Sequence, residues 1–388
     1  MEKIKQEWSR RKFIGALSGT GALMMLRPKW TWDAINDVDP RVTAIVAKTI
    51  GTDTHNHIDV PINAAELPGP AVDLAGEMKK SGLSAICMTF AVDYQELRNP
   101  GEAYDRFING LTAMDKLLAG NDMSRSMNLV EIQAAHKKHK PTVIQSVEGA
   151  HFLEGKLDRL TVAYNRGLRH LGLLHDHDAS VPLGDVFTNP AQFGGLTTFG
   201  ADVIKECNKL GILVDLSHAS NETLNAALKV AAQPVLISHT GLDTQLGQNE
   251  QMAKMMRPRL ISKEQAKIVA DAGGVIGVWT HLSDNALQYA QNIRALVDVV
   301  GVDHVCIGTD TKMTPSYRPG SPGPQPGDKN RGRPGERTNE AWQDQKGGFY
   351  YAVVDALLKT GFTEVEIAKI GGGNFCRIFD AATAGHHN

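Results

Sequence analysis

The stretch Gly51-Thr52-Asp53-Thr54-His55-Asn56-His57 ends in two histidines one residue apart, behind a β-branched run of Val42, Thr43, Ile45, Val46 and Ile50. Residues i and i+2 of a strand point to the same face, so His55 and His57 present their imidazoles side by side. A strand can supply two ligands to one metal ion in this way. By itself His-x-His fits a metal-free surface pair equally well, and the rest of the chain has to decide.

Beyond residue 40, short β-branched runs alternate with stretches of helical period, the pattern of βα units on a parallel sheet. Strands are predicted at 50–55, 83–91, 142–148, 168–175, 212–218, 235–239, 275–280 and 305–310. Helices are predicted at 71–81, 102–119, 128–138, 199–210, 221–230, 262–272, 288–300, 363–370 and 374–381, and Ser262-Lys263-Glu264-Gln265 reads as a capping box. Eight strands in one continuous alternation predict a (β/α)8 TIM-like barrel, whose chemistry gathers at the C-terminal ends of the strands. The polar residues fall at those ends. The first predicted strand runs into His55 and His57, the third ends in Glu148, the fourth in His175, the fifth in His218, the sixth in His239 and the eighth in Asp310. Five of the chain's 14 histidines lie there, which scattered core or surface histidines would not do.

The chain has 388 residues, 42% of them hydrophobic and 22% charged, enough for one large barrel or two ordinary domains. Its formal net charge of −2 argues against a nucleic-acid binder. Residues 1–30 carry seven Lys/Arg against two Asp/Glu, a net +5, so the remainder stands at −7. Ser9-Arg10-Arg11-Lys12-Phe13-Ile14 precedes an uncharged segment to Leu26, too short for an ordinary membrane span. This basic start and short apolar core predict a signal peptide over 1–30, and the arginine pair followed by Phe resembles the bacterial twin-arginine signal. Export to the periplasm or cell envelope is the expectation. An uncleaved leader would leave the protein attached to a membrane. Residues 40–384 are read as one domain with a Gly/Pro-rich loop at about 314–346, either a lid or a solvated loop. Cys87, Cys207, Cys306 and Cys376 lie far apart without a C-x-x-C, so neither a disulfide framework nor a zinc-thiolate site is expected.

From about 50 to 379 the chain resembles the membrane (renal-type) dipeptidases, a branch of the metal-dependent amidohydrolases. The residues that carry the likeness are Asp53-x-His55-Asn56, Val147-Glu148-Gly149, Gly167-Leu168-Arg169 running to His175, GILVDLSHAS at 211–220, PVLISH at 234–239, Gly308-Thr309-Asp310 and NFCRIF at 374–379. The resemblance implies a barrel of the metal-dependent hydrolase type holding two divalent ions, zinc first. His55 and His57 would hold one ion, His218 and His239 the other, and Glu148 would bridge them. His175 would stabilise the oxyanion, Asp310 would act as general base and then acid, and Arg259 would clamp the substrate's terminal carboxylate, with Arg257 as the rival clamp. The implied substrate is a small dipeptide, with tolerance of a D-residue on its C-terminal side. Two departures stand out: His57 occupies a place where the family usually has Asp, and Thr311-Lys312-Met313 stands where the family commonly has Phe-Asp-Gly. An amidohydrolase of N-acyl amino acids or other amides and esters, and a metal-binding barrel without turnover, are the other readings. A homo-oligomer is an open form of assembly.

Overall fold

The computed structural model describes residues 38–317, 335–345 and 347–386. The first half of the chain runs α1 (Pro40–Lys48), β1 (Thr52–His57), α2 (Leu74–Ser81), β2 (Ala85–Thr89), α3 (Glu102–Gly120), α4 (Leu129–Lys137), β3 (Thr142–Val147), α5 (Arg159–Asn165) and β4 (Leu168–Gly172). It continues through α6 (Thr198–Leu210), β5 (Leu213–Asp215), α7 (Asn221–Val230), β6 (Leu236–Thr240), α8 (Glu250–Met256), α9 (Lys263–Asp271), β7 (Val275–Val278) and α10 (Ala286–Val300). The last elements are β8 (Val305–Ile307), β9 (Thr311–Lys312), α11 (Phe349–Lys359), α12 (Glu364–Ala368) and α13 (Asn374–Thr383).

The strands form one sheet in the order β8-β7-β6-β5-β4-β3-β2-β1-β9, parallel throughout. β9 resumes the path of β8 after Gly308-Thr309-Asp310 and pairs with β1, Asn56 opposite Thr311 and His57 opposite Lys312. The eighth strand is thus split in two, and its second piece returns the sheet to its first strand. This is the predicted (β/α)8 architecture. Most strands are rich in apolar residues because helices cover the outer face while side chains fill the inside, whereas β1 is polar throughout. Ala85, Cys87, Ile144, Leu213, Leu236, Val275 and Cys306, from six strands, form one buried cluster with Phe375, Ile378 and Phe379 of α13. Each fully buried side chain of this kind contributes ~1.5–3 kcal/mol. All four cysteines are free and buried.

Several expectations shift. The β-branched run before His55, to which no element was assigned, is helical over 40–48. Asp39 accepts a hydrogen bond from Arg41 N, Pro40 opens the first turn, and buried Val42, Ile45 and Val46 fall at i, i+3 and i+4. Here the period outweighs the β-branched composition. α5, α8 and α11 escaped the sequence reading. In α11, Phe349, Tyr350, Ala352, Val353, Val354, Ala356 and Leu357 are all buried, which narrows the polar face that marks an amphipathic helix to little more than Asp355 and Lys359. Ser262 caps α9 through Gln265 N, but the Gln265 side chain turns to Asn225 instead of completing the box. The predicted leader lies outside the described residues, as do 318–334 and 346 of the Gly/Pro-rich stretch. Within 335–345, the buried Trp342 donates its indole N–H to Ser283 O at 2.9 Å.

Candidate metal centre

The predicted strand-end residues converge, but four of them sit past the strands. The strands stop at Val147, Gly172, Asp215 and Ile307, so Glu148, His175, His218 and Asp310 lie on the turns that follow. His218 has φ 66° and Asp310 φ 55°. A non-glycine residue in this region costs ~1–2 kcal/mol, tolerated where surrounding contacts fix it. Asp310 N donates to His55 O at 3.0 Å, and Phe187 N donates to His218 O at 3.1 Å. A register shift between Asp53 and Asn56 in β1 accompanies the approach of the first two rings. His55 Nε2 and His57 Nε2 are 3.3 Å apart.

Glu148 lies at the centre. Its Oε1 is 2.9 Å from His218 Nε2, 3.4 Å from His55 Nε2 and 3.8 Å from His239 Nε2. Its Oε2 is 3.4 Å from His175 Nε2 and 3.9 Å from His57 Nε2. His218 Nε2 and His239 Nε2 are 3.0 Å apart. Asp310 Oδ1 is 3.0 Å from His57 Nε2. Three sets of donor atoms therefore cluster: His55, His57 and Asp310; His55, Glu148 and His239; Glu148, His175 and His218.

The five rings share one arrangement. Each is held at Nδ1 by an outer partner: His55 and His239 by Ser238 Oγ, His57 by Tyr94 OH at 2.6 Å, His218 by Asp176 at 3.0 Å and His175 by Asp93 at 2.7 Å. Each Nε2 faces inward. Outer partners of this kind orient metal-binding imidazoles. Glu148 Oε2 is buried without a hydrogen-bond partner, a costly state for a carboxylate oxygen unless a cation serves it. The imidazole and carboxylate donors suit Zn²⁺, and Mn²⁺, Co²⁺ or Fe²⁺ can use the same set. On these grounds the residues fit divalent ions.

The electrostatics agree. Burial raises the Glu148 carboxyl, but His175, His55 and the His218 hydrogen bond outweigh it and hold the carboxyl well below its ordinary range. Burial lowers His218, yet Asp176 and Glu148 lift it to about 10. Carboxylates that hold a proton there so firmly would also favour a metal ion. Burial and the neighbouring His239 push His55 well below the usual imidazole value, leaving a neutral ring. Burial raises the Asp310 carboxyl, but His239, His281 and His57 outweigh it and keep it ionised.

Arg259 reaches the site and pairs with Asp176, with the Phe187 ring 5.4 Å from its guanidinium carbon. Burial would raise Asp176, but His218 and Arg259 bring it down to about 2. Arg257, the rival clamp, is exposed. Asp93, Tyr94, Asp176, Asp215, Ser238 and His281 were not singled out from sequence. Asp93 and Tyr94 follow the second predicted strand and His281 the seventh, the two strands to which no site residue was assigned. Extending the strand-end rule by three residues would have found these three. His281 Nε2 lies 2.8 Å from Asp310 Oδ2, and both line a cavity of about 860 Å³ with Met252, Met255 and Trp342.

The placement of His57 makes a direct expectation. His57→Ala should lower divalent-ion affinity at least about tenfold by calorimetry. His57→Asp should retain the ions, because carboxylate is an acceptable ligand. Unchanged affinity in the alanine variant removes His57 from the ligand set.

A crystal structure of an amidohydrolase from Pseudomonas aeruginosa superposes with a TM-score of 0.67 at 22% identity, over 88% of this chain and 99% of that one. A metallo peptidase from Rhodobacter sphaeroides, liganded with a phosphinate mimic of the dipeptide L-Ala-D-Ala, superposes with a TM-score of 0.61 at 17% identity, over 86% of this chain and 100% of that one. These likenesses establish the fold. An uncharacterized dipeptidase of Schizosaccharomyces pombe is 27% identical over 257 residues, 60% of this chain and 60% of its own length. The profile of the membrane dipeptidases (peptidase family M19) matches residues 40–318, most of the chain, and the chain belongs to that family.

Proposed function

We propose that this chain is an exported, zinc-dependent dipeptidase that hydrolyses the amide bond of small dipeptides, including those with a D-residue on the C-terminal side. The inward convergence of His55, His57, His175, His218 and His239 on Glu148 carries the reading. Family membership and the dipeptide mimic bound by the Rhodobacter sphaeroides neighbour support it.

His55, His57, His218, His239 and Glu148 would hold two divalent ions. When bound, the ions supply Lewis acidity that polarises the scissile carbonyl and acidifies the attacking water. Asp310 takes the proton of that water. His281 Nε2 lies 2.8 Å from Oδ2 and can donate to it, with Oδ1 turned toward the cluster. The same carboxyl then delivers the proton to the leaving amine. Burial lowers His175, but Glu148 and Asp93 raise it above the usual imidazole value. With Asp93 accepting from Nδ1, His175 offers Nε2–H to the oxyanion that develops on the carbonyl oxygen. Arg259 binds the dipeptide's terminal carboxylate, for which a planar fork is suited.

The test is a panel of dipeptides with L- and D-residues at each position and free or amidated C-termini, run beside metal analysis. The protein should carry about two divalent ions per chain. Amidation should cost ~2–3 kcal/mol in kcat/KM, roughly 30- to 150-fold, through loss of the charge-assisted contact to Arg259. Equal rates on free and amidated dipeptides exclude the clamp, and an active, metal-free preparation ends the whole reading.

Export rests on the basic leader. Replacing Arg10 and Arg11 together by Lys should leave folded protein in the cytoplasm, read by cell fractionation. Undiminished export of the double variant points to another route.

A further inference from the structure

One hydroxyl stands behind both halves of the cluster. Ser238 Oγ lies 3.1 Å from His55 Nδ1 and 2.9 Å from His239 Nδ1, and it donates to Asp215 Oδ2 at 2.5 Å. Asp215 Oδ1 accepts from Ser217 N at 3.0 Å, Ser217 Oγ at 2.8 Å and Ser238 N at 3.0 Å. Ser238, His55, Asp215 and His239 are 0%, 1%, 2% and 6% exposed, so water does not compete for these bonds.

Counting protons fixes the arrangement. A serine hydroxyl has one proton and two lone pairs, and an ionised carboxylate only accepts. The Ser238 proton therefore goes to Asp215. The two remaining lone pairs accept Nδ1–H from His55 and from His239. A neutral ring protonated at Nδ1 carries its lone pair on Nε2, the atom that each ring turns toward Glu148.

The backbone pins Ser238 in place. A Cβ on Gly277 would lie 2.0 Å from Ser238 O, and one on Gly308 would lie 1.7 Å from it. Glycine at both positions permits this approach. Thr54 Oγ1 donates to the same oxygen at 2.8 Å.

We propose that Ser238 and Asp215 are a positioning pair that sets His55 and His239 in the Nδ1–H form together, presenting both Nε2 lone pairs to the divalent ions. The inference rests on the metal-site reading above. His57 and His218 differ, because each has its own outer partner, Tyr94 and Asp176. Removing the Ser238 hydroxyl should therefore weaken both ions, whereas removing the Tyr94 hydroxyl should weaken one.

Asp215→Asn makes the sharper test. An amide cannot accept from every donor around Asp215, so its NH₂ must face one side. The backbone and hydroxyl donors at Oδ1 claim its oxygen, and the NH₂ faces Ser238 Oγ. The serine proton then turns to a histidine Nδ1, whose ring takes the Nε2–H form, unless Ser217 Oγ, 3.2 Å away, accepts it instead.

Long-range ¹H–¹⁵N NMR of the imidazoles in metal-free full-length protein reads this directly. In the parent, His55 and His239 should both be protonated at Nδ1. In Asp215→Asn combined with Ser217→Ala, which removes the competing hydroxyl, one of them should change to Nε2–H. Zinc titration calorimetry should show both binding events weakened 10- to 100-fold in Ser238→Ala, and one in Tyr94→Phe. Nε2–H rings in the parent overturn the proposal, as does a folded Ser238→Ala protein that binds both zinc ions like the parent. The parent spectrum decides even where a variant does not fold. It is also read without any metal, so a protein that binds no zinc ends the proposed function separately from the ring assignment.

Discussion

Glu148→Ala is expected to lower kcat/KM by more than about 10³-fold and to release at least one divalent ion. Glu148 is 4% exposed and is the carboxylate to which the five inward-facing Nε2 atoms converge. Without it, two sets of neutral donors would face two divalent ions with no shared anion between them, and the charge balance of the site would be lost. Glu148→Gln separates charge from shape: it keeps the volume and removes the anion, so it should lose nearly as much activity as the alanine variant. The fold should survive, because Glu148 lies on a turn beyond β3 and outside the apolar clusters. Elemental analysis, circular dichroism and steady-state kinetics together check this. A folded alanine variant that keeps both ions and its rate would refute the central role of this carboxylate.

Asp310→Asn should lower kcat by about 10²- to 10⁴-fold with little change in KM, the range for loss of a positioned general acid–base group. The substitution preserves shape, and an amide oxygen can still accept from His281. It cannot take a proton from water near neutral pH. His55, His57, His218, His239 and Glu148 remain, so metal content should hold near the parental value. A loss of metal equal to the loss of rate would instead make Asp310 a ligand. The triad it forms with His55 and His57 makes that comparison decisive.

Legibility differed between the parts of this protein. The alternation of β-branched runs with helical periods identified the barrel, because a buried parallel strand and an amphipathic helix leave opposite signatures in local sequence. Where that contrast weakened, as in the largely buried α11, the element went unseen. The stretch 42–46 was noted only for its β-branched composition, whereas its spacing is that of the helix that forms. His55, His57, Glu148, His175, His218, His239 and Asp310 were visible in advance because a barrel gathers chemistry at one end of every strand.

The side chains that hold them were not visible. Asp176 is 42 residues from His218, Asp93 is 82 from His175, and Ser238 is 183 from His55. No local period links such pairs. Barrel closure brings them together, through β9 beside β1 and through the close packing of β6 against Gly277 and Gly308. Local sequence carries which residue types line the mouth of the barrel and their order around it. Which nitrogen of His55, His57, His175 and His218 faces inward is set by packing, because their hydrogen-bond partners Ser238, Tyr94, Asp93 and Asp176 come from distant stretches of chain.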